Sequence, residues 1–303
     1  MGITELPFEI RRTYRQACKR GYMDGYTSPA WRKSFVGAFL TKYPNRTAVL
    51  DALAEACHRK FPRWQDLTTF VLEDFARILR ERQCESTVRT SCNMLKSVIN
   101  AHKDDVRIPA SNYETLLKAK KEPSQAVFLT EDEITVIDNY EPENERERSV
   151  KRIFMIEALT GARHSDAERL APENITNSEL RYVPQKTTSC VISLPAHKLL
   201  PKYLVSTKEV SLAAFNYILR DICRKCGINE RIAIFRHGEN TTGEKWEYVS
   251  SHTGRRSFAT NLFLRNVDIT IIQRFMGHSD PKITQGYICA QKPVDENVMS
   301  FFK

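Results

Sequence analysis

The chain has 303 residues, 41% of them hydrophobic and 27% charged, which is enough for two domains that each bury a core. No apolar run approaches the roughly 18 residues needed to cross a bilayer, and the opening MGITELPFEIRRTYRQ lacks the apolar stretch of a secretory signal. A cytoplasmic protein with eight reduced cysteines is therefore expected. The net charge of +9 is unevenly spread. Residues 1–122 hold 22 Lys and Arg against 14 Asp and Glu, a balance of +8, and the remainder stands at +1. Such asymmetry suits a domain that holds a polyanion while another works on it.

Residues 1–26 form a basic segment with Arg11, Arg12, Arg15, Lys19 and Arg20. Residues 27–117 are predicted to be a helical domain. A helix after Pro29 would bury Trp31, Phe35, Ala38 and Phe39, and Asn45 is placed to cap the next, through Val49, Leu50, Leu53 and Cys57. A third, over about 67–82, has Phe70, Val71, Phe75, Ile78 and Leu79 as its apolar stripe. The helix predicted over 86–103, with Ser86 as N-cap, carries Val88, Cys92, Leu95 and Ile99 on one face. On another face Arg89, Lys96 and Lys103 recur every seven residues with Asn93 nearby, a stripe able to track phosphates.

Residues 118–127 are polar, basic and interrupted by Pro123, as an interdomain linker would be. A second domain, 128–290, opens with Thr130 and Glu133 in capping-box spacing. A strongly apolar helix from about 146 to 160 ends at Gly161. The period then switches to alternation, with LRYVPQ and CVISLP flanking KTTS as a β-hairpin that puts Lys186 near its turn. A helix over about 208–226, a short buried RIAIF and an exposed polar loop, RHGENTTGEKW, follow. In SSHTGRRSFATNLFLRNVDITIIQRFMGHSDPKITQGY, His252 and Arg255 are three apart and head a helix face that Ala259 and Leu262 continue. His278 follows Gly277, a helix stop, and Tyr287 lies nine residues on. The tail 291–303, with Val294, Val298, Phe301 and Phe302 near helical spacing, is expected to be a short helix docking on a neighbouring copy.

Several chemistries lack their residues. Cys223 and Cys226 form a lone CxxC without the second ligand pair of a zinc site, so no metal is expected. No Gly-flanked nucleophile elbow occurs, and none of the 11 glycines belongs to a GxxxxGK[ST] loop. Phosphoryl transfer without metal or cofactor remains, with Tyr287 as nucleophile. It needs fixed guanidinium groups for the charge that builds on the phosphate, a base for the phenol and an acid for the departing alkoxide. Arg255, His252 and His278 supply part of that set.

TGARHSDAERL with Arg163, QKTTS with Lys186, SHTGRRSFAT, FMGHSD and TQGYICA stand in the order of motifs that marks one family. The chain resembles the tyrosine recombinases, the phage integrases and related site-specific DNA recombinases. The resemblance implies a mainly α fold with a small β-hairpin or sheet, built as a two-domain C-shaped clamp of a helical core-binding domain and a catalytic domain. It implies that Arg163 and Arg255 clamp the scissile phosphate and that Lys186 protonates the 5′-oxygen. His252 would accept the tyrosine proton or orient the phosphate, and His278 would hydrogen-bond a nonbridging oxygen. Tyr287 would form a 3′-phosphotyrosyl bond, with Asp166 buttressing the site.

The implied partners are duplex DNA at recombination sites, three further copies in a synaptic homotetramer and accessory DNA-bending proteins, in a nucleoid-associated setting. The integrase of a mobile element is the reading favoured; a dimer resolvase or invertase, a type IB topoisomerase and a non-catalytic DNA-binding module of the same fold are the alternatives. Two positions depart from the family pattern. Gly254 stands where H-x-L-R is common, at a helix-propensity cost of about 1 kcal/mol relative to Ala. Met276 replaces the usual Leu before the Gly-His pair. No separate arm-binding domain is recognisable before residue 27.

Overall fold

The computed structural model describes residues 33–119, 126–187, 190–236 and 239–290. The basic segment 1–26, linker residues 120–125 and the tail 291–303 lie outside the described residues. The chain divides into two compact units, Met1–Pro123 with Arg236–Glu239, and Ser124–Phe235 with Asn240–Lys303.

The described part of the first unit is helical: α1 (Phe35–Lys42), α2 (Thr47–Ala56), α3 (Thr69–Arg82), α4 (Glu85–His102) and the single turn α5 (Tyr113–Leu116). Ser34 caps α1 by accepting from the Gly37 N–H, and Thr68 caps α3 by accepting from that of Val71. Position Arg46 caps α2, one residue after Asn45, and Cys84 rather than Ser86 precedes α4. Phe70, expected in the apolar stripe of α3, is 74% exposed. The face that packs inward is set by Leu72, Phe75, Ala76 and Leu79, and a residue two before Leu72 points to its far side. In α4 the expected core residues Val88, Cys92, Leu95 and Ile99 are buried. Arg89, Asn93 and Lys103 are exposed and Lys96 is half-buried.

The second unit contains α6 (Glu131–Asn139), α7 (Glu145–Thr160), α8 (His164–Ala167), α9 (Leu200–Tyr203), α10 (Leu212–Lys225), α11 (Thr253–Leu264), α12 (Ile269–Met276) and α13 (Pro281–Gln285). A three-stranded antiparallel sheet runs β1 (Ile175–Thr176), β2 (Glu179–Tyr182), β3 (Ile192–Pro195), pairing Leu180 with Leu194 and Tyr182 with Ile192. A second hairpin pairs β4 (Arg231–Arg236) with β5 (Glu239–Glu244). The Thr130–Glu133 capping box forms as expected, with Glu133 Oε2 accepting from the Thr130 N–H at 2.7 Å. The strands around Lys186 are shorter than the sequence implies, so Lys186 sits in a long connection. The polar stretch expected to loop at 239–244 is a strand; neither of its faces is buried, which erases the alternation that marks strands.

Helix α7 is the centre of this unit, packed by α6, α8, α9, α10 and α11. It buries even its charged residues Glu147, Lys151, Arg152 and Glu157. Three of the four are satisfied by partners on surrounding elements. Arg152 donates to Tyr203 O at 2.9 Å and to Leu170 O at 2.8 Å, and Lys151 donates to Asp138 O at 2.8 Å. Glu147 accepts from Tyr140 Oη at 2.6 Å and from Lys225 Nζ at 2.9 Å. Gly161, at φ +68°, ends the helix in the left-handed conformation that releases the chain toward Arg163. No helix among the described residues is long and apolar enough to cross a membrane.

Candidate active site

Arg163 occupies the N-cap position of α8, two residues after the Gly161 turn. Its Nη1 is buried and has no hydrogen-bond partner among the described residues. Asp166, on the same short helix, is 3% exposed. Its Oδ1 accepts from the Gln185 N–H at 2.9 Å, which ties the β2–β3 connection to α8 one residue before Lys186. Lys186 itself is exposed. The buttress expected of Asp166 is therefore a backbone anchor for the lysine's loop.

Arg255 lies in the first turn of α11 and is 1% exposed. It donates to Gly161 O, to Met276 O at 2.7 Å and to His278 Nε2 at 2.6 Å, while Nε is buried without a partner. Burial and then the positive Arg163 work against its charge, whereas Tyr287 and Tyr182 favour it; the net shift is downward. Two guanidinium groups near enough for one charge to act on the other, each with a buried N–H that has no partner among the described residues, form an arrangement that an anion would complete.

His278 follows Gly277, which ends α12 at φ +62°. Burial, then Arg255 and Arg163, push its pKa down to about 4. The neutral ring accepts at Nε2 from Arg255, so Nδ1–H donates to Thr284 Oγ1, at 2.9 Å. Tyr287 comes just after α13. Its ring centroid is 5.1 Å from that of His278 and 5.3 Å from Arg255 Cζ. Thr260 of α11 donates to Tyr287 O at 3.4 Å and accepts from the Cys289 N–H at 3.1 Å, which docks this segment on the helix that carries Arg255.

His252 stands at the N-cap position of α11, before the helix proper, and is more exposed than an apolar face would make it. Partial burial, then the charges of Arg256, Arg255 and His164, hold its pKa below the ordinary histidine value. A neutral His252 can take a proton. Arg163, Arg255, His278 and Tyr287 are thus brought together, with His252 at the rim and Lys186 on an anchored loop.

Four residues here escaped the sequence reading. Tyr182, on β2, is 8% exposed with an unpartnered hydroxyl; burial raises its pKa, as does Asp166, while Arg255 and Arg163 act against the rise. Thr284 is fully buried against His278. The buried Glu157 pairs with the half-buried His164, the residue after Arg163. A lone Glu inside the apolar run FMIEALTG was the one available signal among these.

A family profile described as the phage integrase family matches residues 92–293. The chain belongs to the phage integrase family. Its members are the tyrosine recombinases, and the chain is accordingly a tyrosine-type site-specific DNA recombinase. No curated protein sequence matches it. This integrase-family chain is similar in fold to the Tn1549 transposon integrase in complex with a circular intermediate DNA, at 14% identity and TM-score 0.59, covering 100% of this chain and 99% of that one. It is similar to a lambda integrase (75–356) dimer bound to a COC′ core site at 15% identity and TM-score 0.58, covering 94% and 97%. A lambda integrase tetramer bound to a Holliday junction aligns at 13% identity and TM-score 0.57, covering 97% and 90%.

Proposed function

We propose that this chain cuts and rejoins duplex DNA at the recombination sites of a mobile element, with Tyr287 as nucleophile and Arg163, Lys186, His252, Arg255 and His278 as the other catalytic residues. The observation that carries the reading is the pair of buried N–H groups on Arg163 and Arg255 without partners among the described residues, with Arg255 Cζ 5.3 Å from the Tyr287 ring centroid. A scissile phosphate placed there accepts from both guanidinium groups. Tyr287 Oη attacks phosphorus, His252 takes the phenolic proton, and the bond to the 5′-oxygen breaks as Lys186 protonates it. A foreign 5′-hydroxyl reverses the step without ATP, because the phosphotyrosyl ester keeps the energy of the broken phosphodiester. His278, whose Nε2 accepts from Arg255, orients that arginine. Once the phosphate arrives, the ring carries its proton on Nε2, with Nδ1 accepting from the Thr284 hydroxyl, and donates to a nonbridging oxygen.

The basic first unit holds the duplex through Arg89, Asn93, Lys96 and Lys103. Four copies act in a synapse, a proposal supported by the tetramer that lambda integrase forms on a Holliday junction. The test uses a nicked suicide duplex carrying the element's end. Wild-type protein should trap a covalent adduct. Tyr287→Phe should bind the same DNA and trap none, and an adduct formed by that variant would sink the nucleophile assignment.

A further inference from the structure

Glu157, in the last turn of α7, is fully buried, yet the catalytic steps above give it no role. Its Oε1 lies 2.8 Å from Nδ1 of His164, the residue directly after Arg163. Its Oε2 has no hydrogen-bond partner among the described residues. The side chain fills the place that Gly254 leaves open at the start of α11: a Cβ built on Gly254 would stand 2.7 Å from Glu157 Cβ and 3.0 Å from Oε2. His164 is held in turn edge-on to Phe215 of α10, with ring centroids 4.4 Å apart, and its Nε2 is 3.5 Å from Glu168 Oε1. One carboxylate therefore touches both segments that present the phosphate-binding arginines.

We propose that Glu157 and His164 are positioning residues of this site: the carboxylate grips the histidine that follows Arg163 and locks the Arg163 loop against the helix start that carries His252 and Arg255. Gly254 is the matching half of the device, since any side chain there would push α11 off Glu157. The inference rests on the recombinase reading of the site.

The pair also sets a charge. The groups facing it are Glu168 from the end of α8 and Arg255 from α11, with Phe215 as the apolar wall on α10. Burial pushes the Glu157 carboxyl up to about 7, with His164 and Arg255 pulling the other way. Burial lowers His164, but the Glu157 hydrogen bond and charge, with Glu168, outweigh it and raise its pKa. A protonated His164 is one of the charges that hold His252 below its ordinary value. An ionised Glu157 thus favours the charged form of His164, and a charged His164 favours the proton-free form of His252.

The experiment is the pH–rate profile of adduct formation on the nicked duplex, at saturating DNA, for the full chain and two variants. Glu157→Gln keeps the shape and the acceptor but not the charge. His164→Asn keeps a donor to Glu157 and removes the ring charge, and its partly exposed position makes it the safer variant to fold. Both should bind DNA within about twofold of wild type and cleave about tenfold or more slowly near pH 6.5, the cost expected when reacting groups are misplaced. In both, the acidic limb of the profile should move to higher pH, because His252 then titrates at a higher value. A merely structural contribution would lower the rate equally at every pH. Variants whose profile is unshifted, whether slower or not, while wild type cleaves, would overturn the proposal and leave the recombinase reading standing. A wild-type chain that forms no adduct would overturn both.

Discussion

Arg255 commits its terminal nitrogens to Gly161 O, Met276 O and His278 Nε2 and keeps Nε buried and unpaired. The planar fork fixes the direction of that remaining donor, which a lysine on a flexible stem would not. Arg255→Lys should therefore lower the cleavage rate by about 10²–10³, the usual loss for a preorganised donor to a developing charge, with much less effect on DNA affinity; burst amplitudes on the suicide duplex measure it. His278 supplies a pH prediction. Its folded pKa is about 4 against an ordinary 6.5, so between those values the unfolded chain binds a proton that the folded chain does not. The stability it contributes is complete above 6.5 and is lost as pH falls toward 4. Thermal melts should show a smaller drop in Tm over that window for His278→Asn than for wild type. An equal drop would mean the ring is protonated in the folded protein.

At the scale of elements, the site hangs on the contact between α7 and α11. Gly254 lies at that contact, and a Cβ there would meet Glu157 Cβ at 2.7 Å. From sequence, Gly254 is only a weak helix former; the packing gives it a positive role. Gly254→Ala should cost about 1–3 kcal/mol of stability, the usual range for overpacking, and slow cleavage as well, read from denaturant unfolding and adduct formation. A stabilised variant, as helix propensity alone predicts, would show that the contact relaxes freely. The anchor from Asp166 Oδ1 to the Gln185 N–H makes a parallel case. Asp166→Ala should release the Lys186 connection and slow cleavage about tenfold to a hundredfold, as misplaced groups do, on ordinary DNA. On a substrate whose 5′-oxygen is replaced by sulfur, a leaving group that needs no proton, the loss should largely vanish.

These elements also show what could be read beforehand. The capping box at Thr130, the stop at Gly161 and the stripe of α4 were legible because each depends on residues within a turn or two of one another. The residues proposed as catalytic could be named from sequence because their motifs are local and stand in family order. Phe70 was not, since a single shift in where α3 starts decides which side faces inward. Neither was β5, whose partly polar, unburied faces carry no alternation. The Glu157–His164 pair needed the fold, because the lone Glu in FMIEALTGARH hints at burial but says nothing of His164 as its partner.

Across the whole molecule, the charge balance is +8 before residue 123 and +1 after it, which suits the proposed division into a part that holds DNA and a part that reacts. Arg89, Asn93 and Lys103 are exposed on and just beyond α4, opposite a buried apolar stripe, which leaves them available to phosphates. Replacing Arg89, Lys96 and Lys103 by Ala should weaken binding alike for specific and unrelated duplexes. It should also reduce the slope of log affinity against log salt by about 1 for each phosphate that is no longer neutralised. An unchanged slope would place the DNA on another surface. The proposed chemistry turns on one bond between Tyr287 and a 3′-phosphate, and the most direct measurement is to find it. Trypsin cuts after Lys282 but not between Lys292 and Pro293. Wild-type adduct from a nicked duplex, digested with trypsin and nuclease, should therefore yield the peptide ITQGYICAQKPVDENVMSFFK, residues 283–303, bearing a nucleotide on Tyr287, its one tyrosine. A nucleotide on any other residue, or no adduct under conditions where the chain binds its site, would contradict it.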